Sequence, residues 1–291
     1  MKDVILDTDA YNEIDDQFAI AWLLRSGEKL NTLGLCAAPF LNKKSVSPAD
    51  GMQKSYDEIK KLLTLAGRED VPVYAGSQSY LPDDATPVDS PAAAFIAAEA
   101  RAHDAEHPLY IAAIGAITNV ASAILCDPAA FESGVTIVWL GGHAHHLPKT
   151  GAWEFNMMQD LAAARVVFDC PATVVQLPCR GCVDRLTTTG PELLWWLADK
   201  NPLADYLARN TIAEAESYAA GKPWSRVIWD VSAVAWLLDD EGKLVPTEKT
   251  PAPVPQNDRS YAFPAGRREI ECAVRVNRDA IFERLFSALT E

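Results

Sequence analysis

Short apolar runs alternate with amphipathic stretches along the first two thirds of the chain, and this alternation leaves few folds open. "VILDTD" (4–9) reads as a strand and "DDQFAIAWLLRSG" (15–27) as a helix ending near Gly27. "LNTLGLCAAPF" (30–40) reads as a buried strand. "GMQKSYDEIKKLLTLAG" (51–67) carries apolar residues at helical spacing (Tyr56, Ile59, Leu62, Leu63), with Gly67 as its C-cap. After the short strand "VPVYAG" (71–76), Ser90 and Pro91 mark a helix start. "LYIAAIG", "VTIVWLGG" and "ATVVQLPC" follow as strands, separated by the helical "AITNVASAILCD" and "DLAAARVVFDC". Alternation of this kind predicts an α/β protein, an open, largely parallel sheet with helices on both faces.

From about Thr188 to Leu238 the pattern turns helical. "GKLVPTEKTPAPVPQND" (242–258) reads as Pro-rich and irregular, "REIECAVRVN" as strand-like, and "RDAIFERLFSALTE" as a closing amphipathic helix. No repeat, low-complexity tract or linker interrupts the 291 residues, so a single domain over 1–291 is expected.

Charge and composition narrow the function. With 40 acidic against 26 basic residues the formal net charge is -14, the wrong sign for nucleic acid or an anionic membrane surface. No apolar stretch of transmembrane length free of charges is seen. The opening residues lack a signal peptide's apolar core, and six scattered cysteines read as reduced thiols, so a cytoplasmic location is expected.

The segment "VILDTDAYNEIDDQFAI" crowds Asp7, Asp9, Glu13, Asp15 and Asp16 into one turn after a buried strand. Like charges this close raise one another's pKa unless a cation neutralises them, which points to a bound metal. In parallel α/β sheets ligands sit at the carboxyl ends of strands, where Asp7 and Asp9 fall. Asp15 and Asp16 also suit a helix N-terminus, a simpler reading that leaves Asp7 and Asp9 unexplained. An EF-hand is excluded, because Asn12 stands at the required glycine and Phe18 at the bidentate glutamate. A phosphotransferase with Asp-x-Asp after its first strand does not call for the Asp15–Asp16 pair.

Four segments in order resemble the inosine-uridine preferring nucleoside hydrolases. "DTD" followed by "DD" resembles that family's Asp-Thr-Asp-Pro-Gly-x-Asp-Asp, here with a loop two residues longer. "IGAITNVASAI" (114–124) is similar to its Gly-Pro-Leu-Thr-Asn segment, with Ala116 for proline. "WEFNMMQDLAAARVVF" (153–168) and "WDVSAVAWLL" (229–238) are similar to its Glu-Phe-Asn and late Asp-x-x-Ala-Val segments. The resemblance implies a Rossmann-like fold and hydrolysis of an N-glycosidic bond, which passes through an oxocarbenium-like cation that carboxylates stabilise. It implies Ca²⁺ held by Asp9, Asp16, Asp230 and the Ile114 carbonyl, with Asp9 also the base toward water. It further implies that Asp15, Asn156 and Glu154 bind ribose hydroxyls, that Asp7 orients the ligands from behind, and that the chain forms a homodimer or homotetramer. On the residues alone, Glu154 also reads as a surface acid, Asn156 as a turn residue and Asp230 as a helix N-cap.

The sequence departs from the family where the departing base is protonated. Trp229 stands where many members carry a histidine, and no histidine follows His146. "GGHAHHLPKTG" (141–151) lies in a loop expected to border the pocket, making His145 or His146 the candidate acid. A zinc site on His143, His145 and His146 lacks a further ligand at a defined spacing. Trp224 and Trp229 could stack on a base, and Arg226 could bond it. Asn42 is aligned only loosely with a family asparagine near the sugar. Asn12 and Glu13 occupy the longer loop, without a counterpart. Cys179 and Cys182 of "CRGC" read as ordinary thiols. The reading from another class is a riboside-binding relative with little turnover; an Asp-dependent phosphatase ranks below it.

Overall fold

The computed structural model of the protein describes residues 1–147 and 154–291. Strand β1 (Lys2–Thr8) shows why a parallel sheet forms. Val4, Ile5 and Leu6 are all fully buried, and they point alternately into two different cores. Such a strand needs cover on both faces, which only crossover helices supply.

The chain continues through α1 (Asp15–Arg25), β2 (Leu30–Ala37), α2 (Pro48–Ala66), β3 (Val73–Tyr74), α3 (Pro91–Ala102) and β4 (Leu109–Ala113). Then come α4 (Thr118–Cys126), β5 (Val135–Leu140), α5 (Phe155–Gln159), α6 (Leu161–Asp169) and β6 (Thr173–Leu177). The last third holds β7 (Thr187–Thr188), α7 (Gly190–Leu197), α8 (Pro202–Ala219), β8 (Arg226–Val227) and α9 (Val231–Leu237). It closes with β9 (Thr247–Pro251), β10 (Val254–Pro255), β11 (Tyr261–Ala262), β12 (Glu269–Ala273) and α10 (Arg278–Thr290).

The central sheet has eight strands in the order β3-β2-β1-β4-β5-β6-β12-β9. Every neighbouring pair is parallel except β9 against β12. One core joins the sheet to α1, α2 and α7 to α10; the other joins it to α3, α4 and α6. This is a single α/β domain with helices on both faces, as the alternation predicts. None of the described helices is long and apolar enough to cross a membrane.

The structure corrects two boundaries. Helix α2 begins at Pro48, not Gly51, because Ser47 caps it by accepting the Asp50 N–H at 3.1 Å. Gly51 sits inside the helix because a Cβ there would stand 2.0 Å from the Phe40 carbonyl oxygen. The Pro-rich 242–258 segment is not wholly irregular. It supplies β9, where Pro251 ends an edge strand that bonds on one side only.

Gly51 yields a signed prediction. In an open helix Gly→Ala stabilises by about 1 kcal/mol. Here Gly51→Ala is expected to destabilise by about 1–3 kcal/mol, because the methyl group meets packed backbone. A urea melt of wild type and variant reads the sign.

Candidate active site

Strand order reverses between β1 and β4: the chain winds from β1 toward β3 on one side and from β4 toward β6 on the other. The crevice outside the carboxyl ends of these two strands is where such sheets bind ligands. Asp9 and Ile114 are the next residues beyond them. The Ile114 N–H donates to the Asp7 carbonyl at 2.8 Å, which ties the two strand ends together. Gly115 permits the approach, since a Cβ there would lie 3.1 Å from Asp9 Cγ.

Four carboxyl groups converge on this point. Asp9, Asp15, Asp16 and Asp230 are each no more than 3% exposed. One oxygen each from Asp15, Asp16 and Asp230 lies within 4.8 Å of the other two. The Thr8 hydroxyl donates to Asp16 at 2.5 Å, and the Trp229 N–H donates to Asp15 at 3.0 Å. Asp9 Oδ2 is buried without a hydrogen-bond partner. Neither α1 nor α9 takes a side-chain cap, so capping does not account for Asp15, Asp16 or Asp230.

Burial pushes all four carboxyls up, and for Asp9 and Asp230 the neighbouring aspartates add to the effect. Glu13 and Asp16 push Asp15 further. For Asp16 the Thr8 and Asp230 bonds oppose burial and leave it at about 6. Behind the cluster, burial raises Asp7 to about 7, against the bond from Asn119 Nδ2 at 2.8 Å. This all-oxygen donor set, with an orphaned Asp9 oxygen and the Ile114 carbonyl beside it, fits a hard divalent cation.

Across the crevice, Glu154 and Asn156 are buried and structurally occupied. Glu154 caps α5, accepting the N–H groups of Gly142, Asn156 and Met157 at 2.8, 2.8 and 2.9 Å, so it is no surface acid. Asn156 is no mere turn residue. Its Nδ2 donates to the Ile114 and Leu140 carbonyls, both at 3.0 Å. Together with the aspartates these side chains bound a cavity of about 290 Å³.

The structure brings together Asp9, Asp15, Asp16, Ile114, Glu154, Asn156, Trp229 and Asp230 around that cavity. Asp7 lies behind it. His145 and His146 do not border it, contrary to expectation. The β5–α5 loop turns them into a separate cavity near β9 and β12, where His145 Nε2 meets Gln176 Oε1 at 2.8 Å. Burial lowers the His145 pKa, against the bond to Gln176. Trp224 packs toward Gly190 and does not line the cavity. Arg226 also stays outside, bonded to Glu13 at 2.9 Å and to the Tyr218 hydroxyl at 3.0 Å. Asn42 reaches the site only through Asn12, donating to its Oδ1 at 2.5 Å. Trp153 falls outside the described residues.

Sequence reasoning missed Phe155, Arg180 and Leu140 in the lining, and singled out His143 only within a zinc reading. Cys179 lines the cavity too, its thiol pushed well up by burial and by the neighbouring carboxyls. The signal was available: His143 and Arg180 follow the carboxyl ends of β5 and β6. Asn12 and Glu13 of the longer loop also reach the cavity.

Fold and site define a doubly wound α/β protein with a buried carboxylate cluster at its switch point. The family model described as "Inosine-uridine preferring nucleoside hydrolase" matches residues 4–283, and the chain belongs to that family. As a nucleoside hydrolase by family it is an N-glycosidase by class. It is 28% identical over 231 residues to a pyrimidine-specific ribonucleoside hydrolase of Enterobacter sp. (strain 638), covering 70% of this chain and 73% of that one. It is 26% identical over 233 residues to a probable uridine nucleosidase of Arabidopsis thaliana, covering 72% and 68%. The fold is similar to that of a plant nucleoside hydrolase, with a TM-score of 0.78 at 23% identity over 99% of both chains. A purine-preferring ribonucleoside hydrolase from Gardnerella vaginalis gives 0.76 at 20% identity, over 99% of this chain and 98% of that one.

The raised carboxyls carry a stability signature. A carboxyl whose pKa is higher folded than unfolded stabilises the fold while protonated, and that contribution is lost as pH rises through the folded value. For Asp7 that window runs from the ordinary 3.8 up to about 7. Stripped of divalent ions, the protein is expected to melt lower at about pH 8 than at about pH 5. Adding a divalent cation should raise the melting temperature more at the higher pH, and a pair of thermal scans measures this.

Proposed function

We propose that this protein hydrolyses the N-glycosidic bond of a ribonucleoside or related N-riboside in a Ca²⁺-dependent reaction, giving a base and ribose. The observation that carries the reading is the convergence of four buried carboxyl groups with Asn156 on one sugar-sized cavity. Asp9, Asp16, Asp230 and the Ile114 carbonyl are the residues that would hold the cation. Bound there, Ca²⁺ neutralises the carboxylates and acts as a Lewis acid toward water and sugar oxygens.

Each side chain then has a task. Asp15 accepts a hydrogen bond from a ribose hydroxyl. The Asn156 amide, held by two carbonyls, presents its Oδ1 to the sugar, and Glu154 meets the 5′-hydroxyl. Asp9, with Oδ2 otherwise unpartnered, takes the proton of the attacking water. The ring of carboxylates stabilises the cationic sugar as the C1′–N bond breaks. Asp7 steadies the floor through Asn119, whose Oδ1 is in turn fixed by the Ser77 N–H and hydroxyl. The protein would work as a homodimer or homotetramer in the cytoplasm, on small molecules rather than nucleic acid or membranes. Trp229 in the cavity favours one other reading, a riboside-binding protein with little turnover.

Ribose release from purine and pyrimidine nucleosides and from nitrophenyl riboside separates the two. Wild type with Ca²⁺ is expected to release ribose, and Asp9→Asn to lower kcat by about 10²–10⁴-fold. Binding of ribosides without release from any of them would favour the binding protein.

A further inference from the structure

Resting on the hydrolase reading above, we propose that Asn12, in the longer acidic turn, is a specificity-determining residue. Its amide Nδ2 donates a hydrogen bond to the acceptor atom that the aglycone carries beside its glycosidic nitrogen, such as O2 of a pyrimidine or N3 of a purine. Asn12 lines the cavity and is only 7% exposed. Its N–H donates to the Asp9 carbonyl at 2.7 Å, which fixes its backbone beside the cluster. Its side chain is oriented by Asn42. The Lys44 N–H donates to Asn42 Oδ1 at 2.8 Å, so the Asn42 amide turns its Nδ2 toward Asn12. That Nδ2 donates to Asn12 Oδ1 at 2.5 Å. The Asn12 oxygen is thereby claimed, and its own Nδ2 is directed away from Asn42. Among the described residues none accepts a bond from that Nδ2.

The acidic wall around it accepts hydrogen bonds. Asp9, Glu13, Asp15, Asp16, Glu154 and Asp230 all line the cavity. Asn156 has its Nδ2 on the Ile114 and Leu140 carbonyls. Ribose hydroxyls can donate, and they meet acceptors in excess. An acceptor on the ligand needs a donor instead. Pyrimidine O2 and purine N3 are such acceptors, and both lie on the base edge next to the sugar. A donor aimed at this edge adds a directed bond, and a ligand with C–H there leaves Nδ2 unpaired. The electron pair released from C1′–N spreads onto these same atoms, so the bond strengthens toward the transition state.

The test measures kcat/KM of the Ca²⁺-loaded full chain on two matched pairs. Adenosine is set against 3-deazaadenosine, which has C–H in place of N3. Uridine is set against 2-thiouridine, whose sulfur is a weak acceptor. Nitrophenyl riboside, with ring C–H beside its glycosidic bond, is the reference. The readout is how far a variant shrinks the ratio within a pair, because differences in leaving ability and the effect of added charge cancel. Asn12→Asp keeps the oxygen that Asn42 bonds and loses the donor, and should shrink the ratio by about 10-fold. Asn42→Asp still accepts from Lys44 but has no amine to give. It should turn the Asn12 amide over and shrink the ratio likewise, with residue 12 untouched.

Unchanged ratios in either folded variant, with equal losses on nitrophenyl riboside, would overturn the inference and leave Asn12 to the sugar or to the shape of the turn. Wild type that cleaves the acceptor-poor member of each pair as fast as its partner, or that cleaves nitrophenyl riboside alone, would overturn it too while the hydrolase reading stands. No release from any substrate, nitrophenyl riboside included, would overturn the hydrolase reading and this inference with it.

Discussion

Four buried carboxyl groups at one point of a sheet repel one another, and the rest of the site answers that repulsion. Burial alone disfavours each charge, and proximity adds to it for Asp9, Asp15 and Asp230. Two physical states relieve the strain: protonation of the cluster or occupation by a cation. The fold supplies the conditions for the second. Strand ends β1 and β4 are tied together, Gly115 lets them touch, and the Ile114 carbonyl stands at the same place as the aspartates. The carboxylates that make the apo cluster unfavourable are the ones suited to a positively charged transition state.

Much of the fold was legible because parallel sheets write themselves in a simple code. Buried strands such as 4–6 are apolar at consecutive positions, and helix starts such as Ser90-Pro91 carry chemical marks. Where two marks compete, the stronger local one wins. The Ser47-Pro48 start overrode Gly51, and edge position made a strand of a proline-flanked segment. Neither outcome depends on periodicity, so periodicity does not reveal it.

The aspartate cluster was legible for a related reason: charge density next to a buried strand is costly and therefore informative. The rest of the cavity was less so. His145 and His146 share a loop with His143, and only the backbone path after β5 decides which ring turns inward. Arg226 bonds the lining residue Glu13 without lining the cavity itself, and Trp224 packs toward Gly190, distinctions made by side-chain direction rather than spacing. Asn12 and Glu13 required the tertiary contacts with Asn42 and Arg226 to acquire a place.

Asn156 links two things usually treated apart. Its side-chain amide donates to the carbonyls at the ends of β4 and β5 and also borders the acidic cavity. If the proposed sites hold, a ligand that tilts this amide would move the Ile114 carbonyl, and a cation that draws on that carbonyl would reach the amide. Such a shared bond makes the two binding equilibria reciprocal: whatever factor one ligand lends the other, it receives back. On the proposed reading, sugar affinity and ion affinity would be one coupled quantity, joined through the Asn156 side chain.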